Sequence, residues 1–166
     1  MKIALVSGSP RSGTSAMMRL LGEAGIPLLF SEESRPTDEN NPLGYFENPI
    51  ARKTLYISQK LDEYINTIHG KLSKLSMSRY IVNLPPQHTY YIIWMERDTM
   101  ESAISLLKLK ENPFSLSETA KLINEDRNKA LEYMKDHHFN ILRVPMNNLD
   151  SHVSAAKKHI LPAINC

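Results

Sequence analysis

Gly8-Ser9-Pro10-Arg11-Ser12-Gly13-Thr14-Ser15 joins a short apolar run, Ile3 to Ser7, to a stretch of helical periodicity, with two glycines spaced as in a phosphate-binding loop. Backbone N–H groups of such a loop and of the helix it opens converge on one point, and the helix dipole adds about half a positive charge there. The chemistry suits an anion, with Thr14 and Ser15 as hydroxyl donors. Where the nucleoside triphosphatase loop has Lys this chain has Thr14, and its cation stands three residues earlier as Arg11. That Lys spans the β and γ phosphates, so its absence disfavours ATP or GTP; a cation at the apex neutralises charge on a transferred group or its bridging oxygen. A second constellation is Arg97, at the end of the aromatic, β-branched run Tyr90 to Met95, with Ser105 eight residues later. A planar guanidinium and a helix-borne hydroxyl can share one phosphate, while a salt bridge to Glu101 is the competing use of Arg97.

Pro10-Arg11-Ser12-Gly13-Thr14-Ser15 resembles the 5'-phosphosulfate loop of sulfotransferases that use 3'-phosphoadenosine 5'-phosphosulfate (PAPS). The Arg version is that of protein-tyrosine sulfotransferases and many bacterial members; the cytosolic small-molecule enzymes have Lys there. Arg97 and Ser105 resemble the family's 3'-phosphate pair in register, and Asn41-Pro42-Leu43-Gly44-Tyr45-Phe46-Glu47 resembles a segment of bacterial members. The resemblance spans most of the chain. It implies an α/β, three-layer α/β/α P-loop fold around a mostly parallel sheet, and transfer of a sulfuryl group from PAPS to a hydroxyl or amine acceptor. The product is 3'-phosphoadenosine 5'-phosphate (PAP), and the scheme requires no metal.

The resemblance also distributes roles. Arg11 falls on the bridging oxygen and leaving phosphate. Pro10, Arg11, Ser12, Gly13, Thr14 and Ser15 cradle the 5'-phosphate, and Arg97 and Ser105 hold the 3'-phosphate. Small-molecule members take their base from a His two residues after a Lys at a strand end, and Lys74-Leu75-Ser76 has Ser76 in that place. Protein-tyrosine members use a Glu in a Glu-Glu-Thr-Arg segment, which Glu32-Glu33-Ser34-Arg35 matches at nearly the same distance. Glu33 is thus the candidate base, Glu47 its reserve, and Lys74 the candidate contact to the sulfuryl group. Two rival readings stand beside this one. Glu96, ending an apolar strand, could organise magnesium in a P-loop nucleotide kinase or triphosphatase. The missing His and the absence of a basic, Gly-containing loop after Pro145 suit a catalytically degenerate nucleotide-binding module.

The elements that position these groups follow from periodicity. Strands are predicted over 3–7, 70–75, 90–95 and 139–144, the last three read from alternation or from apolar, β-branched and aromatic composition. Helices are predicted from Ser12 or Thr14 to about Gly25, over 50–68, from an Asp98 cap paired with Glu101 to about Lys110, over 116–135 and over 151–161. Their alternation implies parallel βαβ units covered on both faces, with Met17, Met18 and Trp94 in the core. The polar segment Ser31 to Asn48 is longer than a connection needs, a mark of functional loops.

The chain has 166 residues, 20 Lys+Arg and 18 Asp+Glu, a net charge of +2, which is the balance of an ordinary globular protein and argues against a nucleic-acid partner. A single domain over 1–166 is expected. The only cysteine, Cys166, offers neither an internal disulfide nor a zinc cluster, and His152 and His159, seven apart on a predicted helix, have no carboxylate or thiol partner at ligand spacing. The N-terminal apolar run is too short for a signal peptide or a membrane span, which makes the cytoplasm the expected compartment. The acceptor is not legible, whether a small molecule, a carbohydrate or a peptide.

Overall fold

The computed structural model describes residues 1–31, 37–48, 61–109 and 113–165. Its strands are β1 (Lys2–Gly8), β2 (Leu28–Leu29), β3 (Leu72–Leu75), β4 (Thr89–Glu96) and β5 (Asn140–Pro145). They form one all-parallel sheet in the order β2-β3-β1-β4-β5. The helices are α1 (Thr14–Glu23), α2 (Leu61–Thr67), α3 (Thr99–Leu107), α4 (Leu116–Asp136) and α5 (Leu149–Ile164), with a 3-10 turn at Ser78–Asn83.

Successive side chains of a strand point to opposite faces, and here both faces are covered. Ile3 and Leu5 of β1 and Tyr90, Ile92 and Trp94 of β4 pack with Ile65 of α2 and Ala130 and Met134 of α4. Ala4, Val6, Ile93 and Met95 pack on the other side with Met17, Met18 and Leu21 of α1 and Ala156 and Ile160 of α5. The continuous apolar runs of β1 and β4 follow from this double burial, as does the three-layer α/β/α architecture. Met17, Met18 and Trp94 are fully buried. Among the described residues no helix is long and apolar enough to cross a membrane.

The order places β1 between β3 and β4, so the chain leaves β1 toward β2 on one side and later returns to build β4 and β5 on the other. A crevice opens outside the carboxyl ends of the strands at such a reversal. Registers Ser7 with Leu75 and Gly8 with Met95 bring the ends of β3, β1 and β4 level. The loop after β1, Ser76 after β3 and Arg97 after β4 therefore share one rim.

Several expectations change. The cap of α1 is neither Ser12 nor Thr14 but Gly13, with no side-chain bond; Ser12 is buried beneath Gly8, and Thr14 is the first helical residue. Asp98 caps α3 by accepting from the N–H groups of Met100 and Glu101 at 2.9 and 3.0 Å, but Glu101 turns to Arg97 instead of closing a box. The reciprocal box lies at Ser115 and Glu118, opening α4. Of the helix expected over 50–68, residues 61–67 are helical, and 49–60 lie outside the described residues. Strand β2 was not expected, since two residues carry no periodicity.

On α5, burial pushes the half-buried His159 imidazole below its ordinary range, only partly offset by bonds to the carbonyls of Asn140 and Ile92. Its folded pKa lies below the unfolded one, so the stability it preserves is complete above the unfolded value and is lost as pH falls through the folded one. Thermal unfolding followed between about pH 7 and 5 should show a steeper acid loss in the native chain than in His159→Gln. Equal slopes would remove His159 as a source.

Candidate phosphate-binding cleft

The loop after β1 doubles back so tightly that a Cβ on Gly8 would lie 2.5 Å from Ser12 Oγ and 2.6 Å from the Met95 carbonyl oxygen. Glycine is the only residue that permits this approach. The Ser12 N–H donates to the Ser9 carbonyl at 3.2 Å, Arg11 takes the left-handed conformation at φ 64°, and Gly13 opens α1. Because Gly13 has no side chain, the first-turn N–H groups of α1 have no side-chain cap. This is the donor set an anion requires.

Above the loop lies a cleft of about 550 Å³. Pro10, Arg11, Gly13, Thr14 and Ser15 line its base. The β4 side contributes Arg97, Leu106, Leu109, Pro113 and Met146, largely apolar around one cation. The β3 side contributes Asn40, Asn41, Tyr45, Glu47, Lys74 and Ser76, largely polar.

Three cations reach this region from the ends of β1, β3 and β4. Arg11 Nε donates to Ser105 Oγ at 3.0 Å. Arg97 Nη1 donates to the Arg11 carbonyl at 3.0 Å, while its Nε meets Glu101 Oε2 at 3.2 Å. The salt bridge to Glu101 expected from sequence forms, and Arg97 also lines the cleft. Lys74, 3% exposed at the end of β3, donates from Nζ to Ser15 Oγ at 3.0 Å and to the Tyr45 carbonyl, with Glu47 Oε1 at 3.8 Å. It is a buried member of the cleft and not a surface lysine.

Of the residues singled out in the sequence, Pro10, Arg11, Gly13, Thr14, Ser15, Lys74 and Arg97 line the cleft together. Ser12 and Ser105 do not line it: the buried Ser12 hydroxyl has no hydrogen-bond partner among the described residues, and Ser105 reaches the cleft through Arg11. Glu33 lies outside the described residues, with all of 32–36. Glu47 is the carboxylate that the described residues place in the cleft, and Ser76 Oγ approaches it at 3.5 Å. Sequence reasoning missed Met146, whose Cγ lies 3.1 Å from where a Cβ on Gly13 would stand, and no local signal announces it. It also missed the part played by the Tyr45 main chain, since a backbone carbonyl leaves no trace in residue type.

Glu96, the acid that a magnesium-dependent reading would use, accepts from Arg143 Nη1 of β5 at 3.3 Å and is not among the residues lining the cleft. Comparison with known proteins finds no family model that matches this chain and no curated protein that matches it.

Proposed function

We propose that the cleft binds PAPS and transfers its sulfuryl group to a hydroxyl or amine acceptor, in the cytoplasm. One observation carries this reading: an uncapped helix N-terminus lies at the base of a cleft reached by Arg11, Lys74 and Arg97, with Thr14 where a triphosphate-binding loop needs Lys. A ligand with two separated anionic groups and a charged transferred group suits three cations better than a linear triphosphate does.

PAPS supplies an activated sulfuryl group on a phosphate leaving group. The chain's own residues position and neutralise. The α1 amides with the Thr14 and Ser15 hydroxyls hold the 5'-phosphate. Arg11 bears on the bridging oxygen, where negative charge grows as the bond to sulfur breaks. Arg97 takes the 3'-phosphate, and Ser105 contributes through Arg11. Lys74 faces the equatorial sulfuryl oxygens, and the apolar β4 side receives the nucleoside. The acceptor then approaches from the β3 side, where a carboxylate takes its proton; Glu33 is the base inferred from the sequence, and Glu47 is the carboxylate in place beside Lys74.

Calorimetric titration with PAP against ATP plus magnesium tests the reading. PAP should bind more tightly, and Arg97→Ala should weaken it by about tenfold or more, the loss of a charge-assisted phosphate contact. A preference for magnesium-ATP would overturn the proposal in favour of a kinase or triphosphatase. Tight PAP binding without turnover over an acceptor panel would leave a nucleotide-binding module.

A further inference from the structure

Two non-glycine residues around the cleft have left-handed backbone, Arg11 at φ 64° and Phe46 at φ 52°; the third among the described residues, His138, follows the end of α4, where that conformation is common. A phenylalanine there is strained by its own Cβ, and such strain persists only where surrounding contacts impose it. The neighbours of Tyr45 and Phe46 supply those contacts. The Tyr45 carbonyl accepts from Ser15 Oγ at 3.1 Å and from Lys74 Nζ. The Tyr45 hydroxyl donates to the Asp38 carboxylate at 2.7 Å, and Asp38 Oδ1 accepts from the N–H groups of Asn40 and Asn41 at 2.9 Å. The Phe46 ring rests on Phe30 with centroids 5.0 Å apart.

These bonds hold a carbonyl oxygen against a hydroxyl of the first turn of α1 and a buried ammonium group. Both donors are ones that an anion entering the cleft would claim. We propose that segment 38–47 is a strap over an oxyanion subsite made by Ser15 Oγ and Lys74 Nζ: the Tyr45 carbonyl fills the subsite in the absence of ligand, and a phosphate or sulfuryl oxygen displaces it. The Tyr45–Phe46 peptide turns away in the exchange, and Phe46 leaves the left-handed region. No proton moves. A charged acceptor replaces a neutral one on the same donors, which favours the exchange, and relief of the Phe46 strain adds to it. The Tyr45 to Asp38 bond opposes it, so the strap lowers apparent affinity by the fraction of molecules in which it is open. The inference rests on the anion-binding part of the proposed function and not on the identity of the donor.

Inorganic pyrophosphate is the probe, used with the full chain. Calorimetry should show Tyr45→Phe binding it about three- to tenfold more tightly than the native protein, the effect of deleting one charge-assisted bond that holds the strap shut. Asp38→Asn, isosteric and still able to cap the turn, should act in the same direction and carries the test should Tyr45→Phe not fold. Lys74→Met should weaken binding by about tenfold or more. Amide hydrogen exchange across 44–48 should rise on saturation with pyrophosphate. Unchanged exchange at saturation, or unchanged or weaker binding in the strap variants, would overturn the strap. PAP binding without a response across 44–48 would sink the strap alone; failure of both PAP and pyrophosphate to bind would sink it together with the proposed function.

Discussion

Gly8→Ala is expected to lower the unfolding free energy by about 3 kcal/mol and to abolish anion binding in whatever folded protein remains. The added carbon would stand 2.6 Å from the Met95 carbonyl oxygen and 2.5 Å from Ser12 Oγ. Neither neighbour has room to yield. Gly8 and Met95 are register partners in the β1–β4 ladder, so moving that carbonyl breaks pairing at the centre of the sheet. Ser12 is fully buried. The loop after β1 would relax by shifting away from α1, which disperses the donors of the candidate site. Denaturant unfolding should show a lower midpoint at an unchanged slope. Gly25→Ala is the control: Gly25 has φ 85° but nothing within 4 Å of a new Cβ, so only the conformational cost of about 1 kcal/mol applies. Equal losses in the two variants would mean that the close approach at Gly8 does not set its cost.

Arg11 should show the opposite combination. On the proposed transfer reaction, Arg11→Ala is expected to lower turnover about a thousandfold, the usual cost of removing a donor aimed at developing charge. Arg11→Gly should lose as much turnover while holding stability constant or raising it by up to about 1 kcal/mol, because Arg11 sits at φ 64° where glycine is unstrained. A residue that costs the fold something and is needed by the reaction has that signature. Ser105→Ala should reduce turnover only while Arg11 is present, since its hydroxyl accepts from Arg11 Nε. A double-mutant cycle in turnover measures this coupling. Turnover within about tenfold of native in Arg11→Ala would remove the guanidinium from the mechanism.

How much of this was legible in the sequence depends on what kind of interaction was responsible. β1 and β4 were readable because burial on both faces writes a continuous apolar run, and the loop between β1 and α1 because glycine spacing reflects backbone geometry directly. Lys74 illustrates the opposite case. The resemblance names Lys74 as a site residue but not its surroundings: its stem is enclosed and its ammonium is held by Ser15, Tyr45 and Glu47, which lie 59, 29 and 27 residues away in the chain. No local pattern encodes partners so distant. The cap of α1 was misplaced for a related reason: Ser12 has the residue type of a cap, but the close approach at Gly8 has already buried its side chain. Arg97 and Glu101 were anticipated from their spacing of four, and they meet although Arg97 stands one residue before the Asp98 cap of α3 and only Glu101 is on the helix.

The central place of β1 also governs when this protein can begin to fold. β1, the first of the described strands in chain order, has both of its sheet partners, residues 72–75 and 89–96, far downstream. Until they emerge, Ile3, Leu5 and Val6 have no strand to pair with, and the loop after β1 has no Met95 carbonyl to close against. Parallel pairings over such separations are slow because loop closure precedes the reward. A nascent chain stalled before Leu72 therefore carries the apolar β1 strand with neither partner, the state in which aggregation competes with folding.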